Sequence, residues 1–151
     1  MEFDVRPFTQ ERLEDVLDFE RRLRQEEPDW GWEIGEAYQR RVRKSFSDPR
    51  FANALTLLAY ADGQVVGRID AALIATHFEG VFNGYLDWIC VVKSCRHQGA
   101  AQALMAELRR RLKEQGAVTL VGLIASNEEA QRFYRSMEGA VIRDEGIWID
   151  L

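Results

Sequence analysis

The sequence predicts an α+β fold built on a mixed, mainly antiparallel sheet, in the order β-α-α-β-β-β-α-β-α-β-β. Three observations carry that reading. Two helical patterns follow the first strand candidate with no strand between them. The apolar runs 54–60 and 64–76 meet at Ala61-Asp62-Gly63, a hairpin signal. The apolar run 85–92 ends in a polar, basic turn and a Gly-Ala-Ala step into a long amphipathic helix. Such a helix is a crossover, which returns the next run, 118–125, parallel to the strand it left.

In chain order, residues 2–8 can form the first strand. Thr9 can cap a helix whose apolar side is Leu13, Val16, Leu17, Phe19 and Leu23. Pro28 and the Trp30-Gly31-Trp32 turn stop it. Ile34, Ala37, Tyr38, Val42 and Phe46 set up a second helix, closed by Ser47-Asp48-Pro49. After the hairpin a polar gap runs from 77 to 84, and the third antiparallel strand covers 85–92. The crossover helix, about 99–115, buries Ala101, Leu104, Met105, Leu108 and Leu112 and ends at Gly116. Arg109, Arg110, Arg111 and Lys113 lie in its last turns, where cations suit the helix dipole, so they read first as a solvated helix end. A short helix, 127–137, puts Ala130, Phe133, Tyr134 and Met137 on one side, and 140–143 and 146–151 are strand candidates that close the chain.

Composition bounds the function. The chain of 151 residues is the length of one domain, and 46% apolar with 30% charged residues describes a sequence folded throughout. With 25 acids against 20 bases the net charge is −5, which argues against a nucleic-acid or membrane-surface partner and suits a cationic small substrate. There is no basic-then-apolar leader and no run near the ~18 apolar residues a membrane helix needs, so a cytoplasmic protein is expected. Cys90 and Cys95 alone make neither a disulfide framework nor a zinc site, and His77 and His97 have no partner at metal spacing, so no metal is expected.

The chemistry gathers around residues 85–101. The first N–H groups of a helix lack intrahelical partners and sit at the positive end of its dipole. A glycine there lets an anion approach bare backbone, with Arg96 and His97 beside it. Asp87 is a carboxylate on an otherwise apolar strand; strict alternation places it with Tyr85, Ile89 and Val91, opposite Leu86, Trp88, Cys90 and Val92. A carboxylate buried there would be a stronger base, and the bland alternative is a structural aspartate.

Arg96-His97-Gln98-Gly99-Ala100-Ala101 resembles the (Gln or Arg)-x-x-Gly-x-(Gly or Ala) motif of the GNAT superfamily of acyl-CoA-dependent N-acyltransferases. The 62–67 hairpin and Asn127-x-x-Ala130-x-x-Phe133-Tyr134 resemble its neighbouring elements in the right order. The resemblance implies a splayed parallel central strand pair with acetyl-CoA as co-substrate entering the gap. Backbone groups of Ile89, Val91 and Val92 would hold the pantetheine arm. Arg96, His97, Gln98, Gly99, Ala100 and Ala101 would surround the pyrophosphate, and Asn127 and Phe133 would line the other side. It implies direct transfer of acetyl to a primary amine of a small molecule or peptide, with Tyr134 as general acid, Asp87 as first candidate base and Tyr85 as fallback relay. The aromatic and acidic turn between the first helices, Trp30, Trp32 and Glu33, would meet the acceptor. A homodimer is left open, as is a non-catalytic acyl-CoA sensor or regulatory module that keeps the cradle without turnover. A dinucleotide fold is the weaker rival, since Gly-x-Gly-x-x-Gly is absent. Glu138-Gly139-Ala140 departs from the family's usual Gly-Phe: either Gly139 takes the left-handed position after the helix, or the ending is strained.

Overall fold

The computed structural model describes every residue except 1, 30–32, 76, 77 and 79. Trp30, Trp32 and His77 therefore lie outside the described residues. The chain forms two compact units, residues 1–121 and 122–151.

The first unit holds, but for the last residue of β5, a five-stranded sheet in the order β1-β2-β3-β4-β5, with β1 Asp4–Pro7, β2 Ala54–Ala61, β3 Gln64–Ile74, β4 Phe82–Val91 and β5 Ala117–Gly122. Neighbours from β1 to β4 are antiparallel, and β5 runs parallel to β4 after the crossover. α1 (Leu13–Glu26) and α2 (Glu36–Ser45) precede the hairpin, and α3 (Ala100–Glu114) is the crossover.

Register assigns the two faces. Ile69 and Gly67 of β3 pair with Ile89 and Val91 of β4, and Leu104 of α3 stands so close over Gly67 that a Cβ there would meet its side chain at 3.1 Å. That face is covered by α3, whose Leu104, Leu108 and Leu112 are buried as the 3.6-residue stripe requires. Arg68 and Asp70 point to the other face, where Arg68 meets Glu20 of α1 at 2.7 Å. Gly84 marks the tightest crossing: a Cβ would lie 2.5 Å from Leu112 and 3.1 Å from Leu120.

Three expectations are corrected. Thr9 makes no side-chain cap; its hydroxyl accepts from Arg12 at 3.1 Å, and a 3-10 turn at Gln10–Arg12 precedes α1. β4 begins at Phe82, inside the gap read as polar, because Asn83 and Gly84 find partners in Ile74 and Leu73 of β3. The closing strands at 140–143 and 146–151 do not form: no regular element follows α4 (Glu128–Arg135). Alternation gives a segment two faces but supplies no ladder partner. Val141, Ile147, Trp148 and Ile149 accordingly stand 76%, 82%, 74% and 72% exposed.

In the second unit, Asn127 is the N-cap of α4, its Oδ1 accepting from Ala130 N–H at 2.9 Å. After Ser136 the chain turns through Gly139 at φ +76°, so the glycine takes the left-handed position and Glu138 is spared it.

Candidate functional site

β4 is not the regular strand that alternation assumes. Its register against β3 runs Tyr85 to Ala72 and Leu86 to Ala71, then skips to Trp88 opposite Asp70, so Asp87 is the extra residue of a β-bulge. A bulge turns the following side chains over. Tyr85 therefore shares a face with Trp88 and Cys90, and Leu86 shares the α3-covered face with Ile89 and Val91, where alternation had Tyr85 with Asp87, Ile89 and Val91. The bulge also keeps Asp87 exposed, so the burial that would have strengthened it as a base is not found. Among the described residues no hydrogen bond or ion pair to Asp87 is found.

Below the bulge lies a charged network that the sequence reading missed. Glu20 of α1 is 0% exposed and takes Arg68 at 2.7 Å, Arg24 at 2.8 Å and the Tyr38 hydroxyl at 3.3 Å. Arg68 also binds Asp70, with Nε at 3.1 Å and Nη2 at 2.7 Å, and its guanidinium carbon lies 5.4 Å over the Trp88 ring. Thr56 donates to Asp70 at 2.6 Å. Burial, then the neighbouring Glu20 carboxylate, raises the Tyr38 hydroxyl above its ordinary pKa. A buried acid with two arginines satisfies the demand that buried charge be paired. Its signal was legible: Arg68 and Asp70 stand two apart on an apolar strand, hence on one face, and Glu20 sits inside the apolar stripe of α1, four residues before Arg24.

At the far end of β4 the chain enters a 3-10 turn, Lys93–Cys95, and reaches α3 through left-handed conformations at His97 (φ 60°) and Gly99 (φ 100°). Gly99 is the N-cap and offers no side chain to the helix. The amides of Cys95 and Arg96 bond to the carbonyls of Val92 and Lys93 at 2.9 and 3.3 Å. The first bond of α3 runs from Ala103 to the Gly99 carbonyl. Among the described residues nothing accepts from the N–H groups of Gln98, Gly99, Ala100, Ala101 and Gln102. A continuous row of free amides at a helix start, with left-handed Gly99 in it, has the geometry that suits an anion. Arg96 does not turn toward that row: it binds Glu27 with both terminal nitrogens, one at 3.1 Å, and the Val91 carbonyl through Nε at 3.0 Å. His97 and Gln98 are exposed, and the Gln98 side chain donates to the Ser94 carbonyl at 3.3 Å.

The other assigned residues are placed as follows. Val91 and Val92 are buried, 7% and 0% exposed, and Ile89 is partly so. Glu33 is exposed just before α2. In the second unit Phe133 and Tyr134 meet edge to face with centroids 5.2 Å apart, and burial raises the Tyr134 phenol above its ordinary pKa. The Asn127 oxygen is engaged in capping α4. Cys90 is buried, which pushes its thiol up to about 11, and is unsuited to be a nucleophile; Cys95 is partly exposed. Among the described residues no group of His, Cys, Asp and Glu could hold a metal. No described helix is long and apolar enough to cross a membrane. Two open hollows of ≈ 640 and ≈ 400 Å³ border the β2–β3 turn, and neither is lined by a residue assigned to the site.

Comparison with known proteins bears on all of this. The sequence model of the Acetyltransferase (GNAT) family matches residues 16–138. No curated protein matches the sequence significantly. Solved structures match over nearly the whole chain at low identity. The aminoglycoside acetyltransferase meta-AAC0020 from an uncultured soil metagenomic sample, in complex with sisomicin, superposes with TM-score 0.83 at 13% identity, covering 99% of this chain and 95% of that one. Ribosomal-protein-alanine N-acetyltransferase from Brucella melitensis biovar Abortus 2308 gives 0.75 at 20%, covering 100% and 99%. A transcriptional regulator from Bacillus halodurans C-125 gives 0.78 at 18%, covering 99% and 100%. At such identities the structures establish the fold, and the family match, spanning most of the chain, establishes the rest: this chain belongs to the GNAT family of acetyltransferases.

Proposed function

We propose that the protein transfers the acetyl group of acetyl-CoA to a primary amine of a small molecule or peptide, by direct attack in a ternary complex, with residues 1–151 acting as one N-acetyltransferase domain. The observation that carries the reading is the row of unbonded N–H groups from Gln98 to Gln102, which fits a pyrophosphate in donor number and in charge. Acetyl-CoA supplies the activated thioester. Backbone groups of Ile89, Val91 and Val92 hold its arm, and the resemblance of Asn127-x-x-Ala130-x-x-Phe133-Tyr134 to the family motif assigns Phe133 to the same coenzyme.

A lysine-like amine with pKa about 10.4 is neutral in less than roughly one part in a thousand at pH 7. Asp87, exposed on the bulge and free of internal partners, orients the ammonium and takes its proton directly or through water, with Tyr85 as an alternative relay. The neutral amine then attacks the thioester carbonyl, the C–S bond breaks with its electron pair going to sulfur, and the second nitrogen proton leaves to water as the amide forms. Tyr134 donates a hydrogen bond to the departing thiolate; because burial holds its phenol above the usual value, it stays protonated and available at neutral and mildly alkaline pH. Several structural neighbours are acetyltransferases of aminoglycosides or of a ribosomal protein, so polycationic sugars and protein amines are the first acceptors to try. Trp30, Trp32 and Glu33 remain candidates for acceptor contact. Neither nucleic acid, membrane nor metal is needed for this reading.

The test is an amine library incubated with acetyl-CoA and read by mass spectrometry, beside a calorimetric titration of coenzyme A. Acetylated product supports the enzyme. Tight coenzyme A binding with no product across the library supports the sensor instead, and absence of binding removes the reading.

A further inference from the structure

The end of α1 breaks a local rule. Glu26 is its last residue and Glu27 its C-cap, where the negative end of the helix dipole disfavours acids. Such exceptions point to a compensating contact or a function. Both carboxylates cross to the turn after β4. Glu26 Oε2 accepts from the Ser94 amide at 2.9 Å, and Oε1 accepts from the Ser94 hydroxyl at 2.8 Å and from Arg22 Nε at 3.2 Å. Arg22 also donates to the Ser94 hydroxyl at 2.9 Å. Glu27 takes Arg96 in a two-pronged pair whose side chains are only 20% and 22% exposed. Burial alone would raise Glu26, but the Ser94 amide and hydroxyl, with Arg22, hold it below the usual carboxylate range.

These contacts divide the turn in two. Ser94, Cys95 and Arg96 have bonded amides, and the side chains of Ser94 and Arg96 are fastened to α1. From Gln98 onward the amides are open. The boundary is Arg96, and the left-handed residues His97 and Gly99 follow it at once. Arg96, two residues before the open amides, is therefore engaged in holding the turn.

We propose that Glu27, through Arg96, and Glu26, through Ser94, are positioning residues for the coenzyme: they fix the closed half of the turn and so preset the amide row from Gln98 to Gln102 before the pyrophosphate arrives. This rests on the reading of that row as the pyrophosphate site. Presetting saves the ordering cost of a loop that would otherwise be settled on binding. It also ties coenzyme binding to the helix whose end leads into residues 28–35, the stretch between α1 and α2.

The experiment titrates coenzyme A calorimetrically into the wild type, Glu27→Gln, Glu27→Asp and Ser94→Ala, with melting curves on each. It also compares kcat/KM for acetyl-CoA and for S-acetylpantetheine, which lacks the pyrophosphate. Glu27→Gln should weaken coenzyme A by roughly tenfold, the effect of losing one charge-assisted pair. Glu27→Asp should recover part, and kcat/KM with S-acetylpantetheine should hold. Ser94→Ala, which leaves the Glu27–Arg96 pair intact, should show a smaller loss confined to the same substrate, and carries the test if Glu27→Gln does not fold. Unchanged or tighter coenzyme A binding in the glutamine variant would overturn the proposal, the latter by showing Arg96 to be a ligand held back. Equal losses with both thioesters would overturn it too, as a general structural effect. A wild type that does not bind coenzyme A overturns the site itself, independently of any variant.

Discussion

At the scale of single residues, Asp87 and Tyr134 carry the chemistry in different surroundings. Asp87 is exposed and has no internal partner among the described residues, so Asp87→Asn should leave the melting temperature unchanged. If it takes the amine proton, turnover should fall about a hundredfold at neutral pH and recover toward high pH, where the acceptor is already neutral. Rate measurements from pH 6 to 10 decide it, and a loss uniform with pH would make the residue an orienting group. Tyr134→Phe removes a hydroxyl and keeps the ring that meets Phe133 edge to face. Coenzyme A affinity and stability should change little while kcat falls by roughly 10² to 10⁴. Since burial raises the phenol, the wild-type rate should show no falling limb from tyrosine ionisation near pH 10, where an ordinary tyrosine titrates. Wild-type turnover in the phenylalanine variant would reduce Tyr134 to a packing residue.

At the scale of elements, the entry to α3 is where backbone conformation meets function. Gly99 stands at φ 100° and, among the described residues, only Phe3 lies near the place of a Cβ, at 3.9 Å, so these residues leave space for a side chain and conformation forbids it. A β-branched residue there is a genuine steric outlier. Gly99→Val should weaken coenzyme A by more than tenfold by reshaping the amide row, with a stability loss of about 1–2 kcal/mol for the strained backbone. Calorimetry and thermal melting separate the two: unchanged affinity in a folded variant would move the anion site elsewhere. The β4 bulge is the second such element. It exposes Asp87 while Trp88, next in the chain, turns onto the arginine held by Glu20 and Asp70.

Across the whole molecule, acidic groups with local arginines set the response to acid. Hydrogen bonding from Arg110, aided by Arg111 and opposed by burial, holds Glu107 at about 2, and Glu26 lies below the usual range as well. A carboxyl whose folded-state value lies below its unfolded one contributes stability that is fully present above the unfolded value, 4.5, and is lost as pH falls toward the folded one. The melting temperature should therefore decline from about pH 4.5 to pH 2. Glu107→Gln should flatten part of that decline while changing little at pH 2. A variant with the wild-type slope would show that the Arg110 and Arg111 contacts contribute nothing in solution, as many exposed pairs do.

The sequence by itself determined the order of elements through α4, the two sides of α1 and α3, and the position of the glycine before α3. These follow from periodicity and from backbone rules local to a few residues. It also carried the family motif, because a free row of helix-start amides needs only the turn and the glycine to be written in order. Tertiary structure decided what depends on partners. The bulge at Asp87 exists only in register against Asp70 and Ala71, so the alternation rule placed Tyr85 and Asp87 together when the sheet does not. The network around Glu20 needs a helix and a strand 48 residues apart. Arg96, read as a charge for the ligand, is claimed by Glu27 across 69 residues. Residues 140–151 have the alternation of strands yet form none, since a ladder is a property of two segments and the sequence of one cannot provide it.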